Sequence, residues 1–216
     1  GIDIERFHPQ KRNGFWESSY GLDRKSMKML YVGRVSKEKN LEVLVRAFRR
    51  LEATGKDVDL IVVGNGPYKK EMEASLQNSR ALFTGELFGE ELAQAYASSD
   101  VFVFPSTTDT FGNVVLEAQA SGIPVIVTDM GGPQENLIPG KTGFIVPSFD
   151  ADAIARAVGQ LYDNPAETAQ MKAEARKYMD GRSFEDNFLR SWNLFKSATS
   201  GVAPKKPFEE ILPLAS

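Results

Sequence analysis

The sequence predicts a doubly wound α/β domain, a parallel sheet with helices covering both faces. Three observations carry this expectation. Short runs rich in β-branched and aromatic residues recur along the chain, helical patterns separate them, and each run closes on glycine, proline or a polar residue. Runs that are apolar throughout, rather than alternating, fit strands buried on both faces between two helix layers.

Taken in order, the first strand is expected at Met29–Gly33. Leu41, Leu44, Val45, Phe48 and Leu51 then fall on one face of a helix that Gly55 stops. Strands follow at Leu60–Gly64, Ala81–Gly85 and Val101–Ser106. A short helix is expected from Asn113 to Ser121, ended by Gly122 and Pro124. Ile123–Asp129 and Gly143–Pro147 supply two further strands. After Asp150, Ile154, Ala157, Val158 and Leu161 repeat the helical spacing. From Tyr162 to Lys196 the pattern is continuous helix with a break at Asp180-Gly181, after which Ser183 and Asp186 resemble a capping box with Asp in place of Glu. The domain proper is expected over residues 28–199. Residues 1–27 read as a polar lead-in without convincing periodicity that enters mid-stream, as in an excised piece of a longer protein. Residues 200–216, with Pro204, Pro207, Pro213 and Lys205-Lys206, read as an irregular tail.

Composition narrows the function. The 216 residues, 42% apolar and 25% charged, suit one domain of roughly 100–250 residues. No apolar run approaches the roughly 20 residues that span a bilayer, and Gly1-Ile2-Asp3-Ile4-Glu5 lacks the layout of a signal peptide, so a soluble, cytoplasmic piece is expected. A net charge of −3 and a pI near 5.4 argue against nucleic acid as a partner, because phosphate-backbone binding needs a basic stripe. With no cysteine and a single histidine, His8, disulfides, thiolate zinc sites, cysteine nucleophiles and His-rich metal sites are excluded. His8 reads as a surface or hinge residue. Asp57-Val58-Asp59 has the spacing of a metal-binding acidic pair but precedes a strand, which puts it at the amino end of the sheet, away from the expected ligand edge.

In such folds ligands sit at the carboxyl ends of the strands, so the loops after Gly33, Gly64, Gly85, Ser106 and Asp129 are the places to look. The sharpest segment runs from Pro105 to Pro124. Gly112 lets backbone approach a ligand, and the amides of Gly112–Val114 at the helix start suit an anion. Asp109 lies in the loop before that helix and Glu117 one turn past Asn113, so the two carboxylates could face one pocket. The plainer alternative makes Asp109 a helix cap and Glu117 a solvated residue. Directly after the first strand, Arg34 and Lys39 would hang over the same edge, where cations suit a diphosphate; the alternative is a solvated charge run. Gly64-Asn65-Gly66 has only two glycines of a dinucleotide fingerprint, with Lys69 in place of the third, and reads as a tight turn. Gly131-Gly132-Pro133-Gln134-Glu135-Asn136, after the Ile123–Asp129 strand, again offers free backbone amides and a carboxylate at a helix start, but by itself reads as a turn.

Together and in this order, these segments resemble the C-terminal half of retaining glycosyltransferases of family 4, the glycosyl transferases group 1, which have the two-domain GT-B fold built of Rossmann-like halves. The resemblance runs from Gly1-Ile2-Asp3, Phe7 and Pro9 to about Lys196. It implies that Arg34 and Lys39 bind the diphosphate of a UDP-sugar or GDP-sugar donor, that Asp109 contacts the donor sugar, and that Glu117 contacts the ribose. It also implies that backbone at Thr110, Phe111, Gly112 and Asn113 meets sugar and phosphate, and that Leu87 borders the base. Arg34, Lys39 and Asp109 would form the catalytic set, with neither metal nor cofactor. Two positions depart from the family pattern: Asp109 stands where Glu is usual, and Asn40 where Gly is common. Asn tolerates left-handed backbone, so the loop should survive.

The resemblance further implies an acceptor held by the protein's own N-terminal domain, absent from this chain. A membrane-lipid acceptor, with peripheral attachment at the inner face of the membrane, is compatible with it. Front-face attack and a covalent intermediate both stay open. So do a nucleotide-sugar epimerase or phosphorylase on the same architecture and a non-catalytic nucleotide-binding module, although no signature of the first two is visible and Arg34, Lys39, Asp109 and Glu117 are all present. Phe184, Phe188, Trp192 and Phe195 fall near one helix face. Such a stripe is more often core than anything else, but the resemblance implies that this helix crosses back to the missing domain, which would leave part of the stripe exposed.

Overall fold

A computed structural model describes residues 2–182, 188–189 and 192–196. Contacts divide the chain into two units, Ile2–Asp180 and Gly1 with 181–216. The first unit holds one six-stranded sheet in the order β3-β2-β1-β4-β5-β6. Its strands are β1 (Met27–Val32), β2 (Val58–Val63), β3 (Ala81–Gly85), β4 (Val101–Phe104), β5 (Val125–Thr128) and β6 (Gly143–Val146), one at each expected position. All five strand pairs are parallel. The central strands are sealed on both faces, with every residue of β2, β4 and β5 buried, which is why they read as unbroken apolar runs.

Helices α1 (Phe15–Tyr20), α2 (Leu41–Ala53), α3 (Lys69–Ser75), α4 (Gly89–Ala97), α5 (Asn113–Ala120), α6 (Ala151–Asp163) and α7 (Pro165–Tyr178) cover the sheet. α2 packs on α3 and α6, while α4 packs on α1 and α5, and α5 on α7. The buried face of α2 is Leu41, Val43, Leu44, Ala47, Phe48 and Leu51, as its 3.6-residue spacing required. Asp150 caps α6 by accepting from the Ala153 amide at 2.9 Å.

Three readings of the sequence need correction. The segment before β1 is not merely polar: Ile2, Phe7, Phe15 and Trp16 are buried, and Trp16 donates its Nε1–H to Ser99 Oγ at 3.0 Å. The helical stretch after Tyr162 breaks earlier than expected. Asn164 caps both α6 and α7, and Pro165 opens α7, where its missing N–H costs nothing. The core reading of the C-terminal aromatic stripe also fails, since Phe188, Trp192 and Phe195 are exposed, stacked on one another with centroids 6.3 and 6.0 Å apart. Phe184, and the Ser183 and Asp186 capping box, lie outside the described residues.

At the amino end of the sheet, Lys28 is 1% exposed. Its ammonium reaches the Asp23 carbonyl, Ser26 O and Ser26 Oγ, with Asp59 Oδ2 at 3.8 Å. Asp59 in turn accepts from Arg80 Nε at 2.7 Å and Asp57 from Arg80 Nη1 at 2.8 Å. The acidic pair at 57 and 59 is thus engaged in a structural ion network. His8 caps the 3-10 turn Pro9–Lys11, its Nδ1 accepting from the Gln10 amide at 3.1 Å.

Candidate active site at the carboxyl edge

The strand order reverses between β1 and β4, and the loops leaving these two strands border the crevice that such a reversal opens. The loop after β1 is held from below. Tyr31, fully buried, donates its hydroxyl to the Arg34 carbonyl at 2.9 Å. Burial and the nearby Asp109 and Glu38 charges raise its phenol far above the usual value, so it stays a donor at neutral pH. Lys37–Lys39 form a 3-10 turn that ends in Asn40 at φ 58°, the left-handed conformation anticipated for it. The turn after β2 docks on this loop at very short range. A Cβ on Gly64 would lie 2.0 Å from the Gly33 carbonyl, and one on Gly66 would lie 2.3 Å from that of Val35. These glycines therefore serve close backbone packing, as a tight turn would, and not a dinucleotide fingerprint.

Across the crevice, Lys39 Nζ meets Asp109 Oδ2 at 2.6 Å, in a pair whose side chains are 20% and 26% exposed. The ammonium also lies 6.0 Å from the Phe104 ring centroid. Lys39 keeps donors to spare, since an ammonium carries three. Asp109 Oδ1 accepts from the Gly112 amide at 3.2 Å. Asp109 does not cap α5, whose N-cap is Gly112 with no side-chain cap bond; its carboxylate ties the loop before the helix and binds the cation of the other loop. It also removes the Gly112 amide from the set expected to face an anion. The amides of Asn113 and Val114, at the positive end of α5, have no acceptor among the described residues.

The loop after β5 shapes the same floor. The Gly132 amide donates to the Asp109 carbonyl at 2.9 Å, and a Cβ on Gly132 would lie 2.0 Å from the Thr110 carbonyl. Asn136 Nδ2 donates to the Phe111 carbonyl. Gly112 takes φ 76° against Pro133, whose Cγ lies 2.9 Å from where a Cβ would stand. Thr110, Phe111 and Asn113 are exposed over this floor.

Glu117 is not solvated. It is partly buried on α5, and its Oε2 accepts from the hydroxyl of the fully buried Tyr96 at 3.0 Å. Burial pushes its carboxyl above the usual range, and the Tyr96 bond works against that. Asp109 and Glu117 are therefore held by different partners rather than by each other. On the other side of the loop after β1, an open cleft of about 460 Å³ is lined by Gly33, Arg34, Asn65, Glu86, Leu87 and Phe88, among others. The structure thus brings Arg34 and Leu87 to one cleft and Lys39, Asp109 and Gly112 to one contact. The Arg34 guanidinium is exposed and makes no hydrogen bond or ion pair among the described residues.

Sequence reasoning missed Tyr31, Tyr96, Gly132 and Asn136 as shapers of this edge. The first two sit inside apolar patterns where a tyrosine looks like core. The last two lie in the segment read as a turn, and a double glycine directly after a strand was the one visible signal of close approach.

The family of glycosyl transferases group 1 matches residues 13–178. Among the similar proteins is a sulfoquinovosyl transferase of Arabidopsis thaliana, 38% identical over 82% of this chain and 36% of its own length. Another is a GDP-mannose-dependent alpha-mannosyltransferase of Mycobacterium tuberculosis, 37% identical over 85% of this chain and 46% of its own. Among solved structures, a sucrose-phosphate synthase of Thermosynechococcus elongatus superposes with a TM-score of 0.79 at 28% identity, over 93% of this chain and 52% of that one. The chain spans between about a third and a half of the length of these relatives.

Proposed function

This chain belongs to the glycosyl transferases group 1 family, and on that footing we propose that it is the donor-binding half of a retaining hexosyltransferase using a UDP- or GDP-sugar. The observation that carries the reading is the Lys39–Asp109 contact beside the free amides of Asn113 and Val114, with Arg34 exposed over the same edge. Cations and a helix start converge there in the manner that suits a diphosphate. In support, a relative of 37% identity is named for its dependence on GDP-mannose.

The donor diphosphate takes the remaining donors of Lys39, the Arg34 guanidinium and the two amides. Its base lies in the cleft at Leu87, its ribose hydroxyls at Glu117 and its hexose hydroxyls at Asp109. During transfer the bond from the anomeric carbon to the phosphate oxygen breaks, with its electron pair leaving on the nucleoside diphosphate. A bond from an acceptor hydroxyl oxygen forms, and the hydroxyl proton is released. Negative charge grows on the leaving group, so preorganised cations and amides stabilise the transition state more than the ground state, without a divalent metal. Asp109, one methylene shorter than the usual Glu, is already drawn to Lys39, so binding the diphosphate and releasing this carboxylate toward the sugar are coupled. The acceptor is held by an N-terminal domain outside this chain, and the lead-in of residues 1–27 is the connection to it.

Calorimetry with UDP and GDP in the presence of EDTA tests the reading. Binding that persists with metal removed is expected. Binding that appears only with Mg²⁺ or Mn²⁺ would rule out the metal-free arrangement.

A further inference from the structure

Tyr96 is the only side chain among the described residues that fixes Glu117, and nothing in its packing calls for a hydroxyl. Its ring is 0% exposed, near the end of α4, wedged edge-on against Phe7 at 5.5 Å and tilted on Phe102 at 5.7 Å. Phenylalanine would satisfy those contacts. A buried hydroxyl costs free energy unless it is bonded, and the bond this one makes is to Glu117 Oε2 on the neighbouring helix α5. The other carboxylate oxygen, Oε1, has no hydrogen bond among the described residues, and the residue is only partly buried. One oxygen is thus anchored on Tyr96 while its twin is unbonded among the described residues.

We propose that Tyr96 is a positioning residue for nucleotide binding, its hydroxyl pinning Glu117 Oε2 so that Oε1 is presented to the ribose hydroxyls of the donor. The inference rests on the reading of Glu117 as the ribose contact. Two features of the fold support it. Burial disfavours the charged form of Glu117, and a phenol donating to that carboxylate offsets part of this, while the phenol itself is raised well above its ordinary value and remains protonated. The helix that carries Tyr96 also follows directly on Phe88, its N-cap residue, which lines the cleft assigned to the base, so one rigid element runs from the base cleft to the ribose carboxylate. The ring that braces Tyr96 edge-on, Phe7, comes from the lead-in, which places that segment in the chain of support behind the site.

The test compares Tyr96→Phe with the parent chain for binding of UDP and GDP and of their 2′,3′-dideoxy counterparts. Tyr96→Phe is expected to weaken the ribonucleotides about tenfold, the scale of one hydrogen bond to a charged group. It should leave the dideoxy nucleotides within about twofold, because they cannot use Oε1. Equal weakening of both series, or no change in either, would overturn the proposal by making the hydroxyl a packing feature or an idle one. Glu117→Gln, measured alongside, tests the premise by itself: if it weakens ribo- and dideoxynucleotides alike, the ribose reading of Glu117 falls and the proposal falls with it, whatever Tyr96→Phe does. If the Phe variant does not fold, 3-fluorotyrosine at position 96 keeps the ring and strengthens the donor. The ribo-over-dideoxy preference must then rise, and an unchanged preference counts against the proposal.

Discussion

Replacing Gly132 by alanine tests whether the floor of the site sets nucleotide affinity. Gly132 does not occupy the left-handed region, so alanine is conformationally acceptable there and the effect is one of contact. The new methyl would stand 2.0 Å from the Thr110 carbonyl oxygen, 2.6 Å from its carbon and 3.1 Å from Phe111 Cα. All three are backbone atoms, and real Cβ contacts essentially never fall below 3.0 Å, so the Gly132 and Thr110–Phe111 backbones must part by at least about 1 Å. A displacement of that size beside the reacting groups is worth about 10²-fold in rate, and overpacking costs about 1–3 kcal/mol of stability. Gly140→Ala is the control. Its Cβ meets nothing within 4 Å, but its φ of 73° makes alanine strained by about 1–2 kcal/mol. Urea denaturation should show comparable destabilisation in the two variants. Calorimetry should show a large loss of UDP or GDP affinity in Gly132→Ala alone. Native affinity in Gly132→Ala, at the expected stability loss, would refute the reasoning by showing that the backbone of Thr110–Phe111 does not touch the ligand.

Other outcomes follow from the same geometry. Asp109→Asn should weaken a nucleotide sugar more than the free nucleotide, whereas Lys39→Met should weaken both by tenfold or more; equal effects of Asp109→Asn on the two ligands would contradict its assignment to the sugar. Because burial raises the carboxyl of Glu117 above its unfolded value, the stability it contributes is fully present below pH ~4.5 and is lost as pH rises through the folded-state pKa. Glu117→Gln should therefore flatten the stability profile over that window and unfold at higher urea than the parent at pH 7 while binding ribonucleotide more weakly; an unchanged profile would show that the carboxyl is not strained by burial. Trp16→Ala should cost about 3–5 kcal/mol, as expected for a fully buried aromatic ring, and a loss under 1 kcal/mol would mean that the lead-in is not part of the folded unit.

Much of the architecture was legible because strands such as Val58–Val63 are sealed on both faces and leave an unbroken apolar signature. The α5 loop was legible through Gly112, which its left-handed backbone requires. Contacts between distant residues were less so. The sequence placed Lys39 and Asp109 on one edge, yet their direct pairing spans 70 residues and depends on how two loops fold toward each other. The lead-in hid its apolar residues because Phe7, Phe15 and Trp16 follow no helical or strand period, although Phe7 packs on Tyr96 of α4 and Phe15 and Trp16 bond Ser98 and Ser99 just beyond it. Pro165 was overlooked as a break because proline at the first helical position continues the apparent pattern rather than interrupting it. The Tyr96 hydroxyl was invisible for a simpler reason: periodicity registers a ring and says nothing of where its one polar atom points.

The most direct test of the account is a backbone-amide NMR titration of this chain with UDP and with GDP in EDTA. The account predicts that the perturbed amides cluster at Gly33–Asn40, Glu86–Phe88 and Thr110–Glu117, with those of Asn113 and Val114 moving furthest as they gain acceptors. Shifts confined to the amino end of the sheet, around Arg12, Arg24 and Lys25, or no shifts at millimolar nucleotide, would contradict the assignment of the carboxyl edge as the donor site.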